Sequence, residues 1–419
     1  MLEIIIGAYC IYFLINFYTT FMQIDYVKRA KQKDAVILTP SKFLIAGNYA
    51  VESQKVVLLS SFYDFVLFFM WIGFGLQYLD TLTASYSGWL KAVVFIDTFI
   101  IINWILSLPF ELYTTFILNK KYKFSNMTPS LFIKDTIKSG LIFLIVGSAV
   151  IAGLAIIIET FEYWWLIGFA FIFTVIVLIN MLYPVFRAKM FDKFSPLEDK
   201  VLEEKINKLL DNVGFKSSGV FSVDASKRDN RLNAYFGGLG STKRVVLFDT
   251  LIQKLTHNEL LAVLGHELGH FKNGDILKNI AMMGVIIFSF FAIFGNLNDE
   301  LFLQMHLNKE AYSIILVILM FSPIISFFLM PLMSAMSRHN EYAADEFGSN
   351  MASSEDLVNA LLKLANENKS FPLSHPLFIF FHYSHPPLVE RLKELGYRGA
   401  GIGQLSKDDE SLKGNCELA

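Results

Sequence analysis

Charge is scarce in this chain. Asp, Glu, Lys and Arg together make up 18% of its 419 residues, against about 25% in ordinary soluble domains. Those present nearly cancel, leaving a formal charge of -2. No basic surplus exists to attract nucleic acid, and none is expected as a partner. Cysteine is almost missing. Cys10 and Cys416 stand at opposite ends, which excludes a disulfide framework and a cysteine-based zinc cluster. The composition also excludes disorder and a collagen-like repeat. What fills the sequence instead is apolar: 54% hydrophobic residues, 41 Phe, and a mean hydropathy of +0.47. A multi-pass membrane protein is the leading class.

A helix needs about 20 mostly apolar residues to cross ~30 Å of hydrocarbon. Seven stretches qualify, at 3–22, 57–78, 89–110, 139–159, 163–186, 279–298 and 311–335. The last contains Pro323 and Pro331, which a membrane helix accommodates as kinks. The first has neither the positive start nor the small-residue exit of a cleaved signal, and it reads as an uncleaved anchor. Basic residues cluster in alternate loops. Lys28, Arg29, Lys31, Lys33, Lys42 and Lys55 separate the first two stretches, and Lys120, Lys121, Lys123, Lys134 and Lys138 separate the third and fourth. The positive-inside rule then puts the N-terminus outside and residues 187–278 and the C-terminus in the cytoplasm. Asp64, Asp97, Asn103 and Asn180 within the stretches, and Glu111 at the end of one, must be satisfied inside the bundle or line a hydrophilic chamber.

Two units follow. Residues 1–186 form a membrane domain of five spans. Residues 187–419 form one further domain, interrupted by the spans at 279–298 and 311–335. Residues 404–419 read as a frayed polar tail.

The chemistry is concentrated in His266-Glu267-Leu268-Gly269-His270, an H-E-x-x-H match. Thr256 to Glu259 has capping-box spacing, an apolar run follows, and Asn273-Gly274 supplies a stop, so the motif sits on a helix. Positions i and i+4 lie about 40° apart around that helix. Both imidazoles can therefore reach one zinc ion at about 2.0–2.1 Å. Glu267 is placed to reach a metal-bound water as general base. The bland alternative is a surface helix with two stray histidines.

A catalytic zinc needs a third protein ligand and an open position. After the last span, Glu341 and Asp345 share one helical face. Glu341 is the expected third ligand, and Asp345 the acceptor for a ligating histidine's free N–H. His339 is the rival ligand, but it points about 160° away from Glu341. The structural alternative for Glu341 is an ion pair with Arg338. Val220–Val223 and Arg244–Phe248 flank Asn233 to Gly238 and read as a small antiparallel sheet, whose exposed strand can hold an extended peptide. His385 precedes Pro386 and Pro387, which keeps it in extended backbone. It can stabilise an oxyanion, or simply make a structural hydrogen bond. Arg391 is grouped with Asp345 as a residue that supports the ligands.

The combined set resembles the CAAX prenyl protease 1 family of integral membrane zinc metalloproteases. The resemblance rests on Ala46 to Ala50, Leu108 to Tyr113, Asn233-Ala234-Tyr235, His266 to His270, Glu341 with Asp345, and His385-Pro386-Pro387. The match at Lys121 to Asn126 is looser. The resemblance implies a mainly α fold: seven membrane helices and a zincin-like domain at the cytosolic face. It implies one Zn2+ per chain on His266, His270 and Glu341, with Glu267 activating water. It further implies that Asn233 holds the substrate backbone and His385 assists near the scissile carbonyl. The expected partners are the bilayer and peptide or protein substrates, among them C-terminal segments of lipidated or membrane proteins. A chain rich in Ile, Lys and Phe without long insertions points to a bacterial inner membrane.

A quality-control protease like the heat-shock protease HtpX is the competing enzyme reading, but such proteases have fewer spans before the motif. A non-catalytic scaffold or transporter would predict decay of the metal set. Cys416-Glu417-Leu418-Ala419 has the C-a-a-X length, but its Glu is not aliphatic, and the match reads as coincidence.

Overall fold

The computed structural model describes residues 2–237 and 243–399, with the backbone alone for 183–189. Gly238, the tail at 404–419 and the Cys416 to Ala419 terminus lie outside the described residues. Among the described residues, seven helices are long and apolar enough to cross a membrane: Leu2–Ala30, Pro40–Leu82, Gly88–Lys121, Pro129–Thr160, Trp164–Leu182, Asp275–Gly295 and Ala311–Met351. Each overlaps one predicted stretch, and they are called the first to seventh spans. The chain is a mainly α, multi-pass membrane protein.

Several helices outrun their apolar stretches. The second span has 43 residues, about 65 Å at 1.5 Å per residue and twice the hydrocarbon thickness. Its polar end was invisible to a search for apolar runs. Single π-turns at Trp71–Gly75, Thr114–Leu118 and Phe143–Gly147 interrupt the second, third and fourth spans. Pro323 and Pro331 sit inside the seventh without ending it.

The spans pack around Leu76, Phe95, Ile96, Tyr312 and Val317, while Ile4, Leu14, Phe74 and Ile145 face outward as lipid-facing residues do. Some intramembrane polar residues find partners in the bundle. Ser148 donates to Asp97 Oδ2 at 2.7 Å. Trp71 Nε1 donates to Asn103 Oδ1 at 3.1 Å. Pairing offsets the cost of polar groups in hydrocarbon.

Between the fifth and sixth spans lie four strands: β1 (Phe194–Pro196), β2 (Val220–Val223), β3 (Ala234–Gly237) and β4 (Arg244–Phe248). Their order is β1-β2-β4-β3. The expected antiparallel sheet is in fact mixed. β2 and β4 run parallel, with Val220 opposite Val245, while β3 pairs antiparallel to β4, with Ala234 opposite Leu247. The physical reason lies in residues 224–233, which leave the sheet instead of turning back. Asn126, in the loop after the third span, donates through Nδ2 to Ser226 O at 2.8 Å, and its backbone N–H donates to Arg228 O at 3.0 Å. Arg228 donates to both Asp135 oxygens at 2.8 and 3.2 Å and to Asp192 at 2.9 Å. The chain then returns as β3 on the far edge. β3 is thus an outer strand of the sheet.

The helix Lys200–Val213, capped by Asp199 and ended by Gly214 at φ +70°, buries Leu202, Ile206 and Leu210 with Val245 and Leu247. This small core supports the helix that carries the motif.

Candidate metal centre

The motif helix is His257–Lys272. Thr256 Oγ1 accepts from Glu259 N–H at 3.3 Å, and Glu259 Oε2 accepts from Thr256 N–H at 2.7 Å. This reciprocal cap satisfies orphan donors and fixes where the helix starts. Leu260, Leu264 and Leu268 are fully buried toward the sheet. His266 and His270 consequently face the seventh span. The two helices meet almost backbone to backbone, because a Cβ on Gly269 would stand 2.9 Å from Ala344 Cα.

That approach brings Glu341 to the histidines. His266 Nε2 lies 3.6 Å from Glu341 Oε2, and His270 Nε2 lies 3.3 Å from Glu341 Oε1. One ligand atom from each of the three residues fits within a 4.8 Å cluster. Ligands about 2.0–2.1 Å from a tetrahedral ion stand about 3.3–3.4 Å apart, so this spacing suits zinc. Charge gives a second test. The carboxylates of Glu267, Glu341, Asp345 and Asp275 gather here against the permanent cations Arg391 and Lys278. This excess of carboxylates over permanent cations is what a divalent ion would offset. Glu341 Oε2 is also buried without a well-directed hydrogen bond, although the Arg391 guanidinium stands 3.2 Å away, so it keeps a lone pair that a metal would satisfy.

The supporting residues are close at hand. His266 Nδ1 lies 2.8 Å from Asp345 Oδ1. Arg391 grips both Asp345 oxygens at 2.7 and 2.6 Å and reaches Glu341 Oε2 at 3.2 Å. Arg338 does not pair with Glu341. It donates to Tyr383 O at 2.7 Å, tying the seventh span to the segment that leads to His385. His339 is exposed and outside the cluster. His385 Nε2 reaches Glu341 Oε1 at 3.3 Å, while its side chain stays 63% exposed. Asn233 is exposed at the start of β3, and its Oδ1 accepts from Ala234 N–H at 2.9 Å.

A cavity of about 320 Å³ opens at the cluster, lined by the polar His266, Glu267, His270, Glu341, His385 and Arg391 and the apolar Val263, Leu357, Leu361 and Leu364. Asn233 is not part of that lining. Burial pushes the Glu267 carboxyl up, against the pull of the two imidazoles. For His270, burial disfavours the charged ring, but the Glu341 and Asp275 carboxylates outweigh it and raise the ring to about 9. Asp275 escaped the reading of the sequence. It follows the Asn273-Gly274 stop and opens the sixth span, so it resembled an ordinary acidic helix start.

Residues 196–399 match peptidase family M48, and residues 23–193 match the CAAX prenyl protease N-terminal region with five membrane helices. A CAAX prenyl protease 1 homolog from Oryza sativa subsp. japonica is 34% identical, over 73% of this chain and 73% of its own length. The Saccharomyces cerevisiae CAAX prenyl protease 1 is 32% identical, over 85% of this chain and 83% of its own. The Homo sapiens homolog is 31% identical, over 77% and 78% respectively. The crystal structure of S. mikatae Ste24p superposes with a TM-score of 0.84 at 28% identity, covering 94% of this chain and 98% of that one. The architecture, the spacing of the histidine–glutamate cluster and these similarities converge, and the chain belongs to the CAAX prenyl protease 1 family of membrane metalloendopeptidases within peptidase family M48.

Proposed function

We propose that the chain holds one zinc ion on His266, His270 and Glu341 and hydrolyses peptide bonds with Glu267 as general base. The observation that carries this reading is the gathering of those three side chains within 4.8 Å beside the half-buried Glu267. A zinc ion bound there supplies Lewis acidity and makes water acidic enough to ionise near neutral pH. Glu267, made more basic by burial, takes the proton of the attacking water and passes it to the leaving nitrogen. His385 points Nε2 into the same space and donates a hydrogen bond to the developing oxyanion. Asn233 pairs its side-chain amide with the substrate backbone, and the outer strand β3 lies beside an extended peptide. Asp345 and Arg391 hold His266 and Glu341 in place.

The substrates we propose are C-terminal segments of lipidated or membrane proteins, the class that the relatives' names point to. Five spans before the motif support a CAAX-type architecture over that of a quality-control protease with fewer, and leave the substrate to experiment. Residues 1–186 serve as the membrane domain and 187–419 as the peptidase. The basic loops support a cytoplasmic metal centre and an outer N-terminus, and the composition supports a bacterial inner membrane. The test is Glu267→Gln, which should keep its zinc and lose about 10²–10⁴-fold in peptide cleavage. Near-wild-type turnover would overturn the mechanism. Membrane proteomics of a strain carrying this variant would reveal the substrates that accumulate.

A further inference from the structure

The motif histidines direct Nε2 at Glu341, which leaves each Nδ1 to be satisfied elsewhere. For His266 the partner is Asp345, clamped by Arg391. His270 repeats this arrangement with different residues. Its Nδ1 lies 3.0 Å from Asp275 Oδ2, and Asp275 Oδ1 accepts from Lys278 Nζ at 2.9 Å. The Asp275 side chain is only 4% exposed, so it is not a solvated surface charge. It is the first residue of the sixth span, reached through Gly274 at φ +70°.

We infer that Asp275, braced by Lys278, is a positioning residue that fixes the tautomer and ring plane of His270, and that it makes the first turn of the sixth span a working part of the metal centre. This deepens the metallopeptidase reading and rests on it. A neutral imidazole has one bare nitrogen, so a proton kept on Nδ1 leaves Nε2 free to ligate. A carboxylate hydrogen-bonded to Nδ1 secures that tautomer and makes Nε2 a stronger donor. A buried carboxylate is costly unless it is paired. Asp275 has the ring, the ammonium and the positive end of a 21-residue helix to stabilise it. A merely local ion pair with Lys278 would explain neither the burial nor the aim at Nδ1.

Zinc affinity, measured by competition with a chromogenic chelator, tests this on the full chain. Thermal unfolding of the metal-free proteins serves as control. Asp275→Ala should bind zinc about 10–100-fold more weakly, with Lys278→Ala affected less and metal-free stability little changed. If Asp275→Ala does not fold, Asp275→Asn keeps the shape and carries the comparison. Zinc affinity within about twofold of wild type, or a loss that merely follows a loss of metal-free stability, overturns the inference. Glu341→Ala separates it from the reading beneath. If Glu341→Ala also keeps zinc, the metal site itself is wrong. If only Glu341→Ala loses zinc, the role of Asp275 alone is wrong.

Discussion

A methyl group on Gly348 would stand 2.7 Å from the backbone nitrogen of His266. The proposed metal ligands on the two helices meet because nothing but hydrogen separates the helices at that point. Gly348→Ala sets two effects against each other. Helix propensity favours Ala by about 1 kcal/mol, and overpacking against backbone costs about 1–3 kcal/mol. The contact is to backbone, which cannot rotate away, so overpacking should win. Expected results are lower thermal stability and reduced zinc content. Gly7→Ala, with no atom within 4 Å of the new methyl, is the control. Unchanged zinc content in Gly348→Ala would show that the helices can part without consequence.

Removing the proposed third ligand should be more severe. Glu341→Ala is expected to lose most of its zinc by metal analysis, since two imidazoles alone leave the ion short of a ligand and its charge uncompensated. A protein that retains wild-type zinc would remove Glu341 from the ligand set.

Asn233 and His385 should matter for turnover and not for metal. Misplacing a substrate by about 1 Å can cost about 100-fold in rate, and one oxyanion donor is worth about 3 kcal/mol. Asn233→Ala and His385→Ala should keep zinc and thermal stability while losing cleavage of a model peptide. Loss of zinc or unfolding in either would make that residue structural.

The cap of the motif helix predicts a pH dependence. Burial opposes ionisation of Glu259, but Lys363 at 2.7 Å and the Thr256 cap hold its carboxyl below the usual range. A group depressed in the folded state stabilises above its unfolded value, about 4.3, and that contribution is lost as pH falls through the folded value. Glu259→Gln should therefore melt below wild type at pH 7, and the gap should close below about pH 4. A gap that stays constant with pH would deny the carboxylate its role.

Sidedness can be read by labelling. In a chain freed of Cys10 and Cys416, Lys227→Cys and Asn308→Cys place thiols at exposed positions on opposite sides of the sixth and seventh spans. With intact cells, an impermeant reagent should mark position 308 and not 227. Label at 227 would reverse the orientation derived from the basic loops.

The seven spans were legible because about 20 consecutive apolar residues have few other uses. The motif helix was equally plain, since Thr256, Glu259 and Asn273-Gly274 punctuate it locally. The sheet was read with the wrong pairing. Strand direction depends on where residues 224–233 travel, and Arg228 meeting Asp135 is a contact between distant parts of the chain. β1 was missed because three residues are too short to show a period. Asp275 was missed because its partner Nδ1 becomes visible only once the ring of His270 is oriented.

The seventh span runs unbroken from Ala311 to Met351 and carries the buried Tyr312 near one end and Glu341 near the other. A continuous helix of 41 residues has no joint in which to hide an extra residue. One insertion between Pro323 and Glu341 would turn the carboxylates of Glu341 and Asp345 by about 100° away from the histidines while leaving the membrane core in register. Over this stretch the spacing between residues should be constrained as strictly as their identities, and homologues that gain or lose length should do so in the loops at either end.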